Sequence, residues 1–269
     1  MQAENISTSS LVQDDVKRYG VKPTQNLSKY KSLHLWMLLP MVIMQAGIFR
    51  DYWGDFSDNA WSVHVHYMTG TIWYLFLITQ PYLATHGQIA RHRTYGIIGM
   101  FIAGAVCFTA LSMMHRDILN ADRAAELPDR FGPFKPWFFM SVAAVEIVMM
   151  VAFGYAIIMS IVQRKKFEDH AWWLISTVFI IMMPALGRGI QNLFIGLNIK
   201  DFPNIDIMAP LFLSQFIIIV MILLGAWKYN KLRHAATFLA IGVNVFVLFM
   251  EPIGKSEAVQ SFLRFIIRG

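Results

Sequence analysis

Two consecutive stretches decide the architecture: WFFMSVAAVEIVMMVAFGYAIIMSIV at 137–162 and AWWLISTVFIIMMPALGRGIQNLFIGL at 171–197. Each exceeds the roughly 20 mostly apolar residues that a helix needs to cross a bilayer. Each carries a single residue with full charge, Glu146 in the first and Arg188 in the second. The same reading extended outward predicts spans at 33–49, 62–83, 95–115, 209–227 and 235–250, seven in all. The expected fold is therefore all-α, a polytopic membrane helix bundle of seven transmembrane helices.

Composition agrees. The chain has 269 residues, 56% of them apolar and 15% charged, with a mean hydropathy of +0.48. A soluble domain carries about 25% charged residues. Too few polar side chains are present to face water, which excludes a disordered chain, a disulfide-stapled module and an ordinary soluble enzyme. The one cysteine, Cys107, lies in an apolar run.

Alternating the spans sorts the charges. The N-terminal segment and the loops at 84–94, 163–170 and 228–234 hold thirteen bases against five acids. The other side holds nine bases against eleven acids. Basic loops stay in the cytoplasm, so the N-terminus is expected inside and the C-terminus outside. The formal charge of +6 is then an asymmetry across a membrane, not a nucleic-acid surface. Residues 1–32 read as a polar cytoplasmic segment, 33–250 as the transmembrane domain and 251–269 as an interfacial C-terminal helix. All tryptophans except Trp73 fall near predicted helix ends, where amphipathic rings prefer to sit.

Ionisable groups inside a bilayer are costly and usually paired or functional. Glu146 and Arg188 each lie nine residues from the outer end of their span, a depth of about 14 Å at ~1.5 Å per residue. They are expected to pair across adjacent antiparallel helices, directly or through water. A structural salt bridge and a charged site lining a cavity both satisfy that pattern. At 100° per residue, His170, Thr177, Pro184, Arg188 and Asn192 share one helical face, and His66, Gly70, Trp73 and Gln80 share another. Pro184 loosens the backbone one turn before Arg188. Gly187 and Gly189 flank Arg188 with room for a ligand's close approach.

Eight histidines fall mostly into two layers. His66 with His115 near the outer face, and His92 with His170 near the inner face, have the placing of axial ligands to haem b. His64, His66 and His115, beside Met113 and Met114, have the donor types of a copper site. Neutral histidines with the Glu146–Arg188 pair equally serve proton or quinone chemistry. Interfacial histidines that only bond loops or headgroups give the same layering. His64 and His66, two residues apart, point about 200° apart on a regular helix.

The motifs Gln80-Pro81, Arg91-His92-Arg93-Thr94-Tyr95-Gly96 and His170-Ala171-Trp172-Trp173 with Arg188 downstream resemble a bacterial family of predicted multi-pass membrane proteins of unknown function. That family carries His-Arg-x-x-Gly and a later His-x-x-Trp…Arg. The resemblance covers about residues 60–195 and departs from the family at Ala171-Trp172, where basic residues commonly follow. It implies a helical bundle in the bacterial inner membrane and weight on His92, His170 and Arg188, without naming a reaction. His66 and His92 are also faintly similar to the ligands of diheme b-type membrane cytochromes. Those use histidines on four successive helices, whereas 137–162 has none. Retinal chemistry is excluded, since 235–250 offers no Schiff-base lysine.

The expected function is redox-linked, through haem b or a quinone-like ligand in a His-lined interior. Two alternatives belong to other classes: an accessory subunit docking other membrane subunits, and a small-solute or copper transporter. The lipid bilayer is the one partner expected in every case.

Overall fold

A computed structural model describes residues 27–268; most of the polar N-terminal segment expected over 1–32 lies outside them. The described chain is all-α, with turns and short loops between its helices and no strand among the described residues. The principal helices are α1 (Leu38–Gly47), α2 (Trp61–Thr85), α3 (Ile89–Glu126), α4 (Pro136–Val162), α5 (Phe167–Ile180), α6 (Met183–Leu197), α7 (Met208–Lys228), α8 (Ala235–Val247) and α9 (Glu257–Arg268). Among the described residues, four helices are long and apolar enough to cross a membrane: α3, α4, α5 with α6 taken together, and α7. The apolar helices Leu33–Gly47 and α8 are shorter. At 25 residues α2 is long enough, but His64, His66, Gln80 and several threonines lower its hydropathy.

Large side chains such as Phe101 and Phe108, 76% and 75% exposed, project outward from α3. Inward, Trp73, Trp172, Tyr52 and Phe153 are sealed in a continuous apolar core. Indole N–H groups cannot stay unpaired there. Trp73 Nε1 donates to Thr177 Oγ1 at 3.3 Å, and Trp172 Nε1 to Thr237 Oγ1 at 2.9 Å. Each bond ties one helix to another.

Two expected spans differ from simple rods. The third runs past its predicted end at 115 to Glu126, so half of the outer loop expected over 116–136 is helix. Ala121 and Ala124 keep that extension buried on one face. The fifth span breaks at Ile181–Met182 into α5 and α6. Pro184 sits at the start of α6 and has no N–H to give to Ile180. The break also frees the Val178 and Phe179 carbonyls, which accept from Tyr74 Oη at 3.4 Å and Asn244 Nδ2 at 3.2 Å. Without them, apolar surroundings would make each freed carbonyl expensive.

α6 lies against α1 and α7. At the α1–α6 crossing a Cβ on Gly47 would run into the Ala185 carbonyl, and one on Gly189 would lie 2.7 Å from the Gly47 Cα. The backbones touch there as only glycine permits. The small residue at 189 therefore serves helix packing, not the close approach of a ligand that its place beside Arg188 had suggested.

Candidate functional site

α2, α3, α4 and α6, with the helical turn Phe49–Trp53 that follows α1, border a partly open cavity of about 390 Å³. Its walls are mainly apolar, with Met113, Phe138, Met149 and Met150 among them. Into it project Asp51, His66, Tyr67, Arg116, Asp117, Glu146 and Arg188. Two positive and three acidic side chains thus meet one mostly apolar space. Its volume falls in the range of about 300–1,000 Å³ typical of small-molecule sites.

Arg188 is well supplied with partners. Its Nη1 donates to Tyr67 Oη at 2.8 Å and its Nε lies 3.4 Å from Asp51 Oδ2. Asp51 Oδ1 accepts in turn from Asn192 Nδ2 at 2.8 Å. Arg188 and Glu146 line the same cavity, but the ion pair of Arg188 is with Asp51, and no direct bridge joins it to Glu146. Glu146, the expected partner, shares the space without taking the contact.

Three buried polar atoms around the cavity have no hydrogen-bond partner: His66 Nδ1, Arg116 Nε and Glu146 Oε2. The ion pair of Arg116 with its chain neighbour Asp117 is long, at 4.0 Å.

The histidines divide differently from the expected layers. His66 faces the cavity, but His115 is on the exposed side of α3 and is not part of the lining. The expected outer pair is not brought together, because Met113, Arg116 and Asp117 occupy the inward face of α3. His64 turns to Tyr52, whose hydroxyl lies 3.1 Å from its Nδ1. His64, His66 and His115 do not converge, and among the described residues no group of three or more His, Cys, Asp or Glu is arranged to hold a metal. His92 and His170 do meet. Their ring centroids are 6.2 Å apart and the rings are perpendicular, while His170 Nδ1 lies 2.8 Å from the Ser160 carbonyl.

Asp51, Tyr67, Arg116 and Asp117 belong to the site and were not singled out from the sequence. A signal existed for one of them. Val106, Ala110 and Met113 define an inward face on α3, and continuing that 3.6-residue period past His115 brings Asp117 onto it. Asp51 carries no comparable signal, since only the folded turn after α1 carries it to α6.

At the basic end of the bundle, away from the cavity, Lys231 Nζ bonds Asp169 Oδ1 at 2.8 Å and lies 3.5 Å from Glu168. Lys228 sits over the Trp36 ring at 3.8 Å. His234 Nδ1 accepts from Ala236 N at 3.1 Å and so caps α8.

Comparison with protein-family models, with curated proteins and with solved structures gives no match.

Proposed function

We propose that the chain is a seven-pass integral protein of the bacterial inner membrane, N-terminus in the cytoplasm and C-terminus outside, that binds a small redox-active, quinone-like molecule in the cavity. The observation that carries this reading is the set of partnerless polar atoms, His66 Nδ1, Arg116 Nε and Glu146 Oε2, around a mainly apolar chamber. Native proteins rarely leave buried polar atoms unpaired. A ring carrying oxygen atoms and an apolar tail satisfies both the polar set and the methionine and aromatic walls. Haem b across His66 and His115 is not supported, since only His66 reaches the cavity.

Purified full-length protein in lipid nanodiscs, titrated with a dimethoxy-benzoquinone bearing a decyl tail, should bind it saturably. Organic extraction of untreated protein should release a quinone-class lipid. Linear, non-saturable uptake together with a quinone-free extract overturns the reading.

A second reading rests on a different observation. His92 and His170 face each other, and the Ser160 carbonyl takes the Nδ1 proton of His170, leaving Nε2 for a metal. Haem b held there would supply electron transfer. The reduced protein would then absorb in the Soret and α regions, and His170→Ala would abolish the bands. Featureless spectra from protein expressed with ample haem sink this second reading alone.

A further inference from the structure

Arg188 stands out in the sequence, yet its Nη1 and Nε already have protein partners. Its Nη1 is on Tyr67, its Nε is beside Asp51, and Asp51 is itself anchored by Asn192. That cluster ties the turn after α1 to α2 and α6. Asp51 balances the Arg188 charge, and a ligand reaching for Nη1 or Nε would have to displace Tyr67 or Asp51.

The opposite wall, between α3 and α4, is built differently. Arg116 Nε–H points to no acceptor, and among the described residues the ion pair of that guanidinium is with Asp117, at 4.0 Å. Adjacent residues on a helix do not face one another, and this long contact from Nη2 leaves Arg116 Nε without a partner. Across the gap Glu146 Oε2 is sealed from bulk water and has no donor, and from α2 His66 Nδ1 is in the same condition. Three unpaired polar atoms from three helices thus border one cavity. Leaving a buried donor or acceptor unpaired is costly, and more so for a charged group.

Resting on the quinone-like reading above, we infer that the ligand's polar head docks on Arg116, His66 and Glu146, and that the Arg188–Asp51–Tyr67 cluster is scaffold. Arg116 Nε–H donates to a ring carbonyl oxygen. Glu146 accepts from a ring hydroxyl when it is ionised and donates to a carbonyl when it is protonated. His66 supplies a donor or an acceptor according to its tautomer. Such a head both accepts and donates, which describes a quinone and its quinol better than a simple anion or an amine. Met113, Met149 and Phe138 then contact the ring and the start of its tail.

The test is the affinity of full-length protein in nanodiscs for the decyl benzoquinone. Arg116→Gln and Glu146→Gln should each weaken binding by about tenfold or more, the range expected when one hydrogen bond to a charged group is lost. His66→Asn should weaken it less than His66→Ala. Thr237→Val, which removes the Trp172 bond far from the cavity, controls for general loosening of the bundle and should leave affinity unchanged. Wild-type affinity in both Arg116→Gln and Glu146→Gln overturns the assignment while leaving the binding reading intact. Failure of the wild-type protein to bind overturns both. Equal weakening in Thr237→Val also overturns it, because the effect would then be structural.

Discussion

At the scale of single residues, what a side chain costs depends on who answers it. Asp51 neutralises Arg188 and bridges it to Asn192. Replacing Asp51 with Ala leaves the guanidinium with only Tyr67, and stability should fall by about 1–3 kcal/mol, read as a lower unfolding midpoint in a denaturant titration. A midpoint equal to wild type would show that water replaces the carboxylate without loss. His234 makes a second residue-scale case. Burial pushes its imidazole below the ordinary histidine range, with Asp169 pulling the other way. Its Nδ1 lone pair caps α8, and protonation would remove that acceptor. Since the folded pKa is depressed, the cap's contribution is complete above the unfolded value of ~6.5 and is lost as pH falls through the folded value. His234→Asn, a capping side chain that does not titrate, should flatten this part of the stability–pH profile. An unchanged profile would remove His234 as its origin.

Among elements, the break between α5 and α6 governs how the site is built. A continuous helix would send Arg188 around on the same rod as His170; the interruption at Ile181–Met182 lets α6 start anew beside the cavity. Asn244 answers one of the carbonyls that the break releases. Asn244→Leu should therefore cost about 1–3 kcal/mol, and a loss under half a kcal/mol would mean that water or a neighbour takes over. Much of this was legible in the sequence. Apolar runs marked the helices, Pro184 marked the loosened turn, and the solitary charges Glu146 and Arg188 marked the depth of the site. What stayed hidden was tertiary. The partner of Arg188 comes from a turn more than a hundred residues away in the chain, and Arg116 reads as a surface base because it lies beyond the apolar run that ends near His115. The pairing of His66 with His115 failed for a related reason, since depth along a helix says nothing about which way the side chain turns.

For the molecule as a whole, the proposed orientation makes a separate prediction. In a Cys107→Ala background, a cysteine at Ser256, just before α9, should react with a membrane-impermeant maleimide added to intact cells. One at Lys231, at the basic end, should react only after the membrane is opened. The reverse pattern would invert the topology. The unequal division of bases is what makes this prediction possible, because the positive-inside bias acts on short loops, and the loops here are short.

α3 holds one more consequence. Its 38 residues measure about 57 Å at ~1.5 Å per residue, against a hydrocarbon thickness of about 30 Å. Asp117 faces the cavity, and five residues farther along the same rod Asp122 grips Arg264 of α9 at 2.6 Å. A rigid helix keeps those two contacts in fixed phase. One alanine inserted between them would turn Asp122 by about 100° relative to Asp117 and pull α9 from its seat, while four would bring back its direction about 6 Å farther along the axis. The chamber and the C-terminal helix are geared to one shaft.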